Sequence, residues 1–452
     1  MVDTSYIEFL EKKSQLGGMF GFKPLFMPDF LFDFQKHLVD WSLRKGKGAL
    51  FADCGLGKSP MALVWAQNIV EKENGNVLII TPLAVAEQFI REGEKFGIEV
   101  TRSRDGKIKK GITVTNYERL HYFNPNDFEG VVCDESSAIK NFEGERQKKV
   151  TAFLLKTKYR LLCTATAAPN DYIELGTSAE ALGELGRMDM LSQFFVNDEN
   201  SNHPIWWGAR WRFKKHGEKS FWRWICSWAR AIKKPSDLGY SDEGFKLPEL
   251  IVNETIIKSK SYNGLLFPVE AKTLNEQRKE RRVTMQERCE IVAEKVSKHE
   301  RSVMWCHLND EADLLEKLIP NSRQVSGSQS DEQKEEIFNA FTKGQLPYLI
   351  IKPKIGCWGL NWQHCNHMTF FPSHSYEQYY QGVRRCWRFG QKQPVTVDVV
   401  TSDGERGVFK NLQRKSEAAE KMFDQLVEYM NNSLRIDNIT YFNNETKLPA
   451  WL

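Results

Sequence analysis

The run Ala52-Asp53-Cys54-Gly55-Leu56-Gly57-Lys58-Ser59 constrains the fold more than any other stretch of the chain. It follows a short apolar segment, Ala49-Leu50-Phe51, and precedes an apolar, helix-like stretch from Met61 to Val70. Glycines let the backbone turn sharply from strand to helix and wrap its N–H groups around an anion, which the helix N-terminus also attracts. Lys58 can neutralise β- and γ-phosphate charge, and the Ser59 hydroxyl can hold Mg²⁺. About 75 residues later, the apolar run Gly130-Val131-Val132-Cys133 ends in Asp134-Glu135. A strand ending in paired carboxylates supplies what the loop lacks: Asp134 for the metal and Glu135 as the base for an attacking water. Together these signals predict a nucleotide hydrolase. Its cofactors would be ATP and Mg²⁺, bound by Gly55, Gly57, Lys58, Ser59 and Asp134.

Strand-like and helix-like segments alternate around this pair. Val77 to Ile80, Ile112 to Thr115 and Arg160 to Cys163 read as further short buried strands, and Ala84 to Phe96 as a helix. Alternation of this kind predicts a parallel sheet covered on both faces. It resumes after residue 265 with a long helix from Glu276 to Lys298 and a strand from Val303 to Cys306. A helix from Glu311 to Leu318 follows, then strands at 348–351, 368–371 and 395–400, and a helical tail from Gly407 to Tyr429. The second α/β domain has no phosphate loop. It would supply groups to the nucleotide instead, and Arg385 and Arg388, three apart on an expected helix, are placed to do so.

Residues 196–264 interrupt the pattern. Between Ile205 and Lys234 stand nine Lys or Arg against one acid, Glu218, with six of the chain's thirteen tryptophans: Trp206, Trp207, Trp211, Trp222, Trp224 and Trp228. Cations that track phosphates beside aromatic faces that stack on bases suit a nucleic-acid contact. The spacing of Phe221, Trp222, Trp224, Ile225 and Trp228 equally suits the buried stripe of a helix. The two roles are compatible, with these tryptophans inside and Lys214, Lys215 and Lys219 exposed. The expected division is 1–195, an insert and connector over 196–264, 265–430, and a tail over 431–452.

In order along the chain, these segments resemble the motifs of superfamily 2 helicases, most closely the SWI/SNF-type duplex DNA translocases. Leu31-Phe-Asp-Phe34-Gln35 is similar to the adenine-reading segment, and 52–59 to the first ATP motif. Thr81-Pro82-Leu83 with Gln88, and Thr115-Asn116-Tyr117-Glu118, resemble nucleic-acid contacts. Asp134-Glu135-Ser136-Ser137 resembles the second ATP motif, with Ser137 where histidine is usual. Thr164-Ala165-Thr166 with Pro169-Asn170 resembles the motif that links the two sites. Val325-Ser326-Gly327-Ser328 and Gly356-Cys-Trp-Gly359-Leu360-Asn361 look like DNA contacts. Gln381, Arg385, Arg388, Gly390 and Gln391 match the final motif, with Trp387 where histidine is common.

The resemblance implies two RecA-like domains in tandem, with the Trp-rich basic, mainly helical insert between them. It implies a nucleic-acid-stimulated ATPase in which Gln35 reads the base and Arg385 and Arg388 stabilise the transferring phosphoryl group. Thr81, Pro82, Gln88, Asn116, Ser326, Gly327 and Asn361 would touch DNA. Duplex or branched DNA is the expected partner, with RNA as the alternative and a protein loading partner conceivable. A strand-separating helicase and an ATP-gated binding module without directional movement are the rival functions. Compact bacterial and bacteriophage members of the family look most similar.

The remaining composition narrows the setting. The net charge of +4 is too small to imply nucleic-acid binding by itself. Nine cysteines without a Cys-x-x-Cys pair suggest free thiols in a reducing compartment, the cytoplasm. Cys306-His307 and Cys365-Asn366-His367 lack the matching second pair a zinc site needs, and read as packing. There is no run of eighteen apolar residues, so no membrane role is expected, and a monomer is the default.

Overall fold

A computed structural model describes residues 18–168, 171–197, 211–215, 217–258, 274–356 and 360–442. The chain divides into two compact units, residues 1–242 with 419–452, and residues 243–418.

The first unit is built on a sheet whose strands are, in chain order, β1 (Lys47–Ala52), β2 (Val77–Thr81), β3 (Val100–Arg102), β4 (Ile112–Asn116), β5 (Gly130–Asp134) and β6 (Tyr159–Thr164). With a later strand, β9 (Ala229–Ile232), they are ordered β3-β4-β2-β5-β6-β1-β9, and every pairing is parallel. Parallel strands covered on both faces must be apolar throughout, and β2 and β5 are buried at every position. Helices Asp33–Lys45, Lys58–Glu73, Ala86–Phe96 and Glu145–Leu154 connect them. The parallel order leaves the loops after β1 and β5 at the same, carboxyl edge of the sheet, where ligands of open α/β sheets bind.

The Trp-basic segment lies differently from the expected insert. After the short antiparallel pair β7 (Phe195–Asn197) and β8 (Trp211–Phe213), helix Gly217–Trp228 packs inside the first unit. Trp222 and Trp228 are completely buried, and the Trp228 ring meets Phe51 of β1 edge-on with centroids 6.1 Å apart. The chain then enters the large sheet as β9 (Ala229–Ile232), parallel to β1. Residues 211–242 thus complete the first domain, and the boundary falls at 242 rather than near 195. Trp206 and Trp207 lie outside the described residues. So do Pro169-Asn170 and Cys357 to Gly359 of the family-like motifs.

The second unit holds β10 (Leu250–Ile257), β11 (Ser302–Trp305), β12 (Ser322–Val325), β13 (Tyr348–Ile351), β14 (His367–Phe370) and β15 (Val395–Ser402). Their order is β10-β15-β14-β11-β13-β12, again all parallel. The long helix expected from Glu276 is two, Leu274–Val283 and Met285–Val296. Thr284 stands between them, its hydroxyl bonded to Glu280 O at 2.8 Å and accepting from Arg288 Nε at 3.2 Å. The tail helix is longer than expected, Arg406–Phe442, and its Met422, Phe423, Leu426 and Met430 belong to the first unit's core. Among the described residues no helix is long and apolar enough to cross a membrane.

Candidate active site

β1 delivers the chain into the phosphate-type loop, where Gly55 and Gly57 both take positive φ, 90° and 80°. Helix Lys58–Glu73 starts directly behind them. Gly57 is required for a second reason. A Cβ there would lie 2.2 Å from Gln35 Nε2, which donates to Leu56 O at 2.8 Å. The Gln35 Oε1 accepts from Phe32 N at 3.0 Å. The residue expected to read a base therefore braces the loop with its Nε2, while its Oε1 caps the start of its own helix. Lys58 Nζ folds back on its own loop, donating to Ala52 O at 2.9 Å and Asp53 O at 3.3 Å. Ser59 occupies the first turn, partly accessible. Sequence reasoning missed Asn68, fully buried on the same helix. Its Oδ1 accepts from Leu25 N and Phe26 N at 2.7 and 2.9 Å, pinning the preceding segment against the loop's helix.

Asp134 ends β5 with its carboxylate inside the protein, accepting from Thr81 Oγ1 at 3.1 Å. Burial, then the adjacent Glu135, push its carboxyl up to about 7, with Lys58 pulling the other way. Glu135 adopts the left-handed conformation, φ 50° and ψ 52°, costly for a residue with a side chain. Its Oε2 is buried without a hydrogen-bond partner. Strain together with an unsatisfied carboxylate oxygen marks a group held for a ligand. Two adjacent buried carboxylates facing a lysine suit a divalent cation carried by a polyphosphate. Tyr117, also missed, donates its hydroxyl to Asp134 O at 2.7 Å and steadies the strand end.

The structure revises the expected nucleic-acid contacts. Thr81 is fully buried and serves Asp134, so it offers no surface to DNA. Asn116 is nearly buried, its amide donating to Glu118 Oε2 at 3.1 Å. Pro82 is partly exposed, and Gln88 donates to Glu92 at 2.7 Å on a partly exposed helix face. Lys214, Lys215 and Lys219 are exposed, while Trp222, Trp224 and Trp228 are core.

In the second unit the arginines are not on a helix. Helix Tyr376–Val383 stops at Val383, and Arg385 and Arg388 stand in the turn that follows. Arg385 is buried, with Nε on Gln381 O at 3.0 Å and Nη1 on Leu360 O at 2.9 Å. Arg388 Nη1 reaches the same Leu360 O at 3.2 Å. One carbonyl thus gathers two guanidiniums. Arg384 adds a third cation, stacked 4.9 Å over Trp387. Burial, then Arg388 and Arg385, lower its pKa to about 9. Gln391 closes the turn by donating to Cys365 O at 3.0 Å and Cys386 O at 3.3 Å. Asn361 keeps a buried Oδ1 without a partner. Ser326 and exposed Gly327 border a cavity of about 1000 Å³, together with Arg323, Lys352 and Lys354.

The chain thus holds two parallel-sheet α/β units, the first with a phosphate-type loop and buried carboxylate pair, the second with an arginine turn. Residues 284–390 match the helicase conserved C-terminal domain. Over 180 residues the chain is 28% identical to the Mus musculus protein "DNA annealing helicase and endonuclease ZRANB3", covering 35% of this chain and 17% of that protein. It thus spans less than a fifth of that relative's length. A solved "Sulfolobus solfataricus SWI2/SNF2 ATPase core in complex with dsDNA" aligns over 90% of this chain and 96% of that one, at 18% identity and a TM-score of 0.40. The chain is thus similar to helicases over residues 284–390 and, over about a third of its length, to a DNA annealing helicase.

Proposed function

We propose that the chain is an ATP-dependent motor that moves along duplex DNA, with branch remodelling in replication, recombination or repair as its setting. The observation that carries the proposal is the Asp134–Glu135 pair, buried, strained and left with a partnerless oxygen at the edge of the sheet that also bears the Lys58 loop. In this proposal Lys58 exchanges Ala52 O and Asp53 O for phosphate oxygens when ATP binds. Thr81 orients Asp134. The free Oε2 of Glu135 takes the proton of the attacking water, and Arg385 and Arg388 stabilise the transferring phosphoryl group. Ser59 and Asp134 would hold Mg²⁺, which neutralises phosphate charge when bound with ATP. Gln35 would act on the nucleotide through the loop it braces as well as through the base.

DNA contacts are assigned to Pro82, Gln88, Asn116, Ser326, Gly327 and Asn361. The exposed Lys214, Lys215 and Lys219 add a further grip on phosphates. The test is steady-state ATP hydrolysis alone and with duplex, single-stranded and forked DNA and RNA, followed by displacement of a triplex-forming strand. Stimulation chiefly by duplex DNA with triplex displacement is expected. Stimulation by single strands with fork unwinding would replace translocation by strand separation. Tight ATP-dependent binding without displacement would leave only an ATP-gated binding module.

A further inference from the structure

The arginine turn after helix Tyr376–Val383 lies outside any helix or strand, so what fixes it comes from neighbouring segments. One side is held by the loop over 360–365. Trp362 N donates to Arg385 O at 2.9 Å, Arg385 and Arg388 share Leu360 O, and Gln363 Nε2 donates to Phe389 O at 2.7 Å. The turn is also tied to a different stretch, residues 245–248, which leads into β10. Trp387 Nε1 donates to Pro248 O at 2.7 Å, and the Phe389 ring stacks on Phe245 with centroids 4.7 Å apart and planes 24° from parallel. Arg388 therefore stands between two residues that are each anchored to 245–248. The units divide at 242, so this stretch is where the chain enters the second unit. Phe245, Trp387 and Phe389 are all partly exposed, whereas the rings that fill this unit's interior, Trp305 and Trp362, are buried.

We propose that Phe245, Trp387 and Phe389 are positioning residues for ATP hydrolysis, which clamp the arginine turn to the entering chain and so set where the Arg385 and Arg388 guanidiniums stand. The clamp's effect on turnover rests on the reading that these two arginines serve hydrolysis. Its two contacts constrain different freedoms. The Trp387 bond is directional and fixes the residue before Arg388, while the stacked rings, with Gln363 on the carbonyl, grip the residue after it from both ends. The Trp387 indole also carries the buried Arg384 guanidinium 4.9 Å over its ring, and its carbonyl accepts from Arg384 Nη1 at 3.3 Å. Charge-stabilising groups work only when they are held in place before the reaction, and a misplacement of about 1 Å can cost on the order of 10²-fold in rate. A loosened clamp would be felt where the arginines act, in the transition state. Binding of ATP itself, carried by the Lys58 loop of the first unit, would be spared.

The experiment follows ATP turnover by the full chain with duplex DNA, together with the affinities for two nucleotides. ADP with aluminium fluoride mimics the transferring phosphoryl group, and adenylyl imidodiphosphate mimics ATP. Phe245→Ala should lower kcat and the affinity for the fluoride complex by roughly 10- to 100-fold, with KM and imidodiphosphate affinity little changed. Phe245→Tyr keeps the ring and should restore wild-type values. Combining Phe245→Ala with Phe389→Ala should cost no more than either alone, because both remove one stack. Trp387→Phe loses the indole N–H but keeps a ring over Arg384. It should show the same selective loss, and it decides the matter if Phe245→Ala fails to fold. Equal weakening of both nucleotides would overturn the clamp, since it would mean general damage to the fold. So would wild-type affinity for the fluoride complex in Phe245→Ala and Trp387→Phe, when Arg385→Ala and Arg388→Ala weaken it. If the two arginine variants themselves bind both nucleotides as wild type does, the arginine reading falls and the positioning role falls with it.

Discussion

At the residue scale, Gly57 and Glu135 carry opposite kinds of backbone constraint. Gly57 sits at φ 80° with Gln35 Nε2 where a Cβ would need to be. Gly57→Ala therefore incurs left-handed strain of about 1–2 kcal/mol and also displaces the Gln35 brace. We expect weaker ATP binding and lower stability. In a Gln35→Ala background the same substitution should cost only the strain, and urea denaturation of the four proteins would measure the difference. Equal costs in both backgrounds would show that Gln35 does not brace the loop. Glu135 holds its strain without a glycine. Glu135→Gln should retain ATP binding while turnover falls by about 10²-fold or more, as loss of a general base does. Glu135→Gly should be equally inactive yet more stable by roughly 1–3 kcal/mol, since it releases the backbone. Calorimetry alongside single-turnover kinetics separates these effects; an active glycine variant would remove Glu135 from the chemistry.

At the element scale, helix Gly217–Trp228 shows how one amphipathic segment can serve stability and surface charge separately. Trp228→Ala should destabilise the first unit by about 3–5 kcal/mol, as truncation of large buried aromatic residues does. Replacing Lys214, Lys215 and Lys219 together by glutamine should leave stability within about 0.5 kcal/mol, because all three are exposed. If they contact DNA, the slope of log affinity against log salt should shrink by up to about 3, near 0.9 per phosphate. An unchanged slope would return these lysines to plain surface.

The same element marks where the sequence was legible. Strands such as β2 and β5 are continuous apolar runs, and their burial on both faces is written in their composition. β9, Ala229–Ile232, carries Arg230, and β12, Ser322–Val325, carries Arg323 and Gln324, so neither has that signature. The turn from strand to helix at residues 55–58 and the carboxylates that close β5 were legible because both are local patterns along the chain. The Thr81 bond to Asp134 depends on β2 lying beside β5, one residue beyond the Ile80–Cys133 pair, and no local pattern reports such register. Arg385 and Arg388 were expected on a helix but stand beyond it, because Tyr376–Val383 closes just before them.

At the scale of the whole molecule, the two units have separate cores, and His307 and Asp398 of the second respond to acid with the opposite sign to Asp134 of the first. In the second unit His307 donates from Nε2 to Phe371 O at 2.9 Å, and burial, then Arg281, lower its pKa to about 4 despite that bond. The unfolded chain takes up that proton more readily. Stability is therefore lost as pH falls from about 6.5 towards 4, by on the order of 3 kcal/mol. Asp398 is pushed up by burial but held well below the usual carboxylate range by hydrogen bonds from His367, Lys295 and Asn253. Its contribution is present above about 3.9 and is lost below it. In the first unit Asp134 is shifted upward, so acid relieves rather than weakens it. Without nucleotide or divalent metal, calorimetry between pH 7 and 3 should therefore show the second unit's transition falling away from the first. His307→Gln should flatten the fall above pH 4 and Asp398→Asn the fall below it. Parallel movement of both transitions in wild type and variants alike would mean that these buried groups do not govern the response.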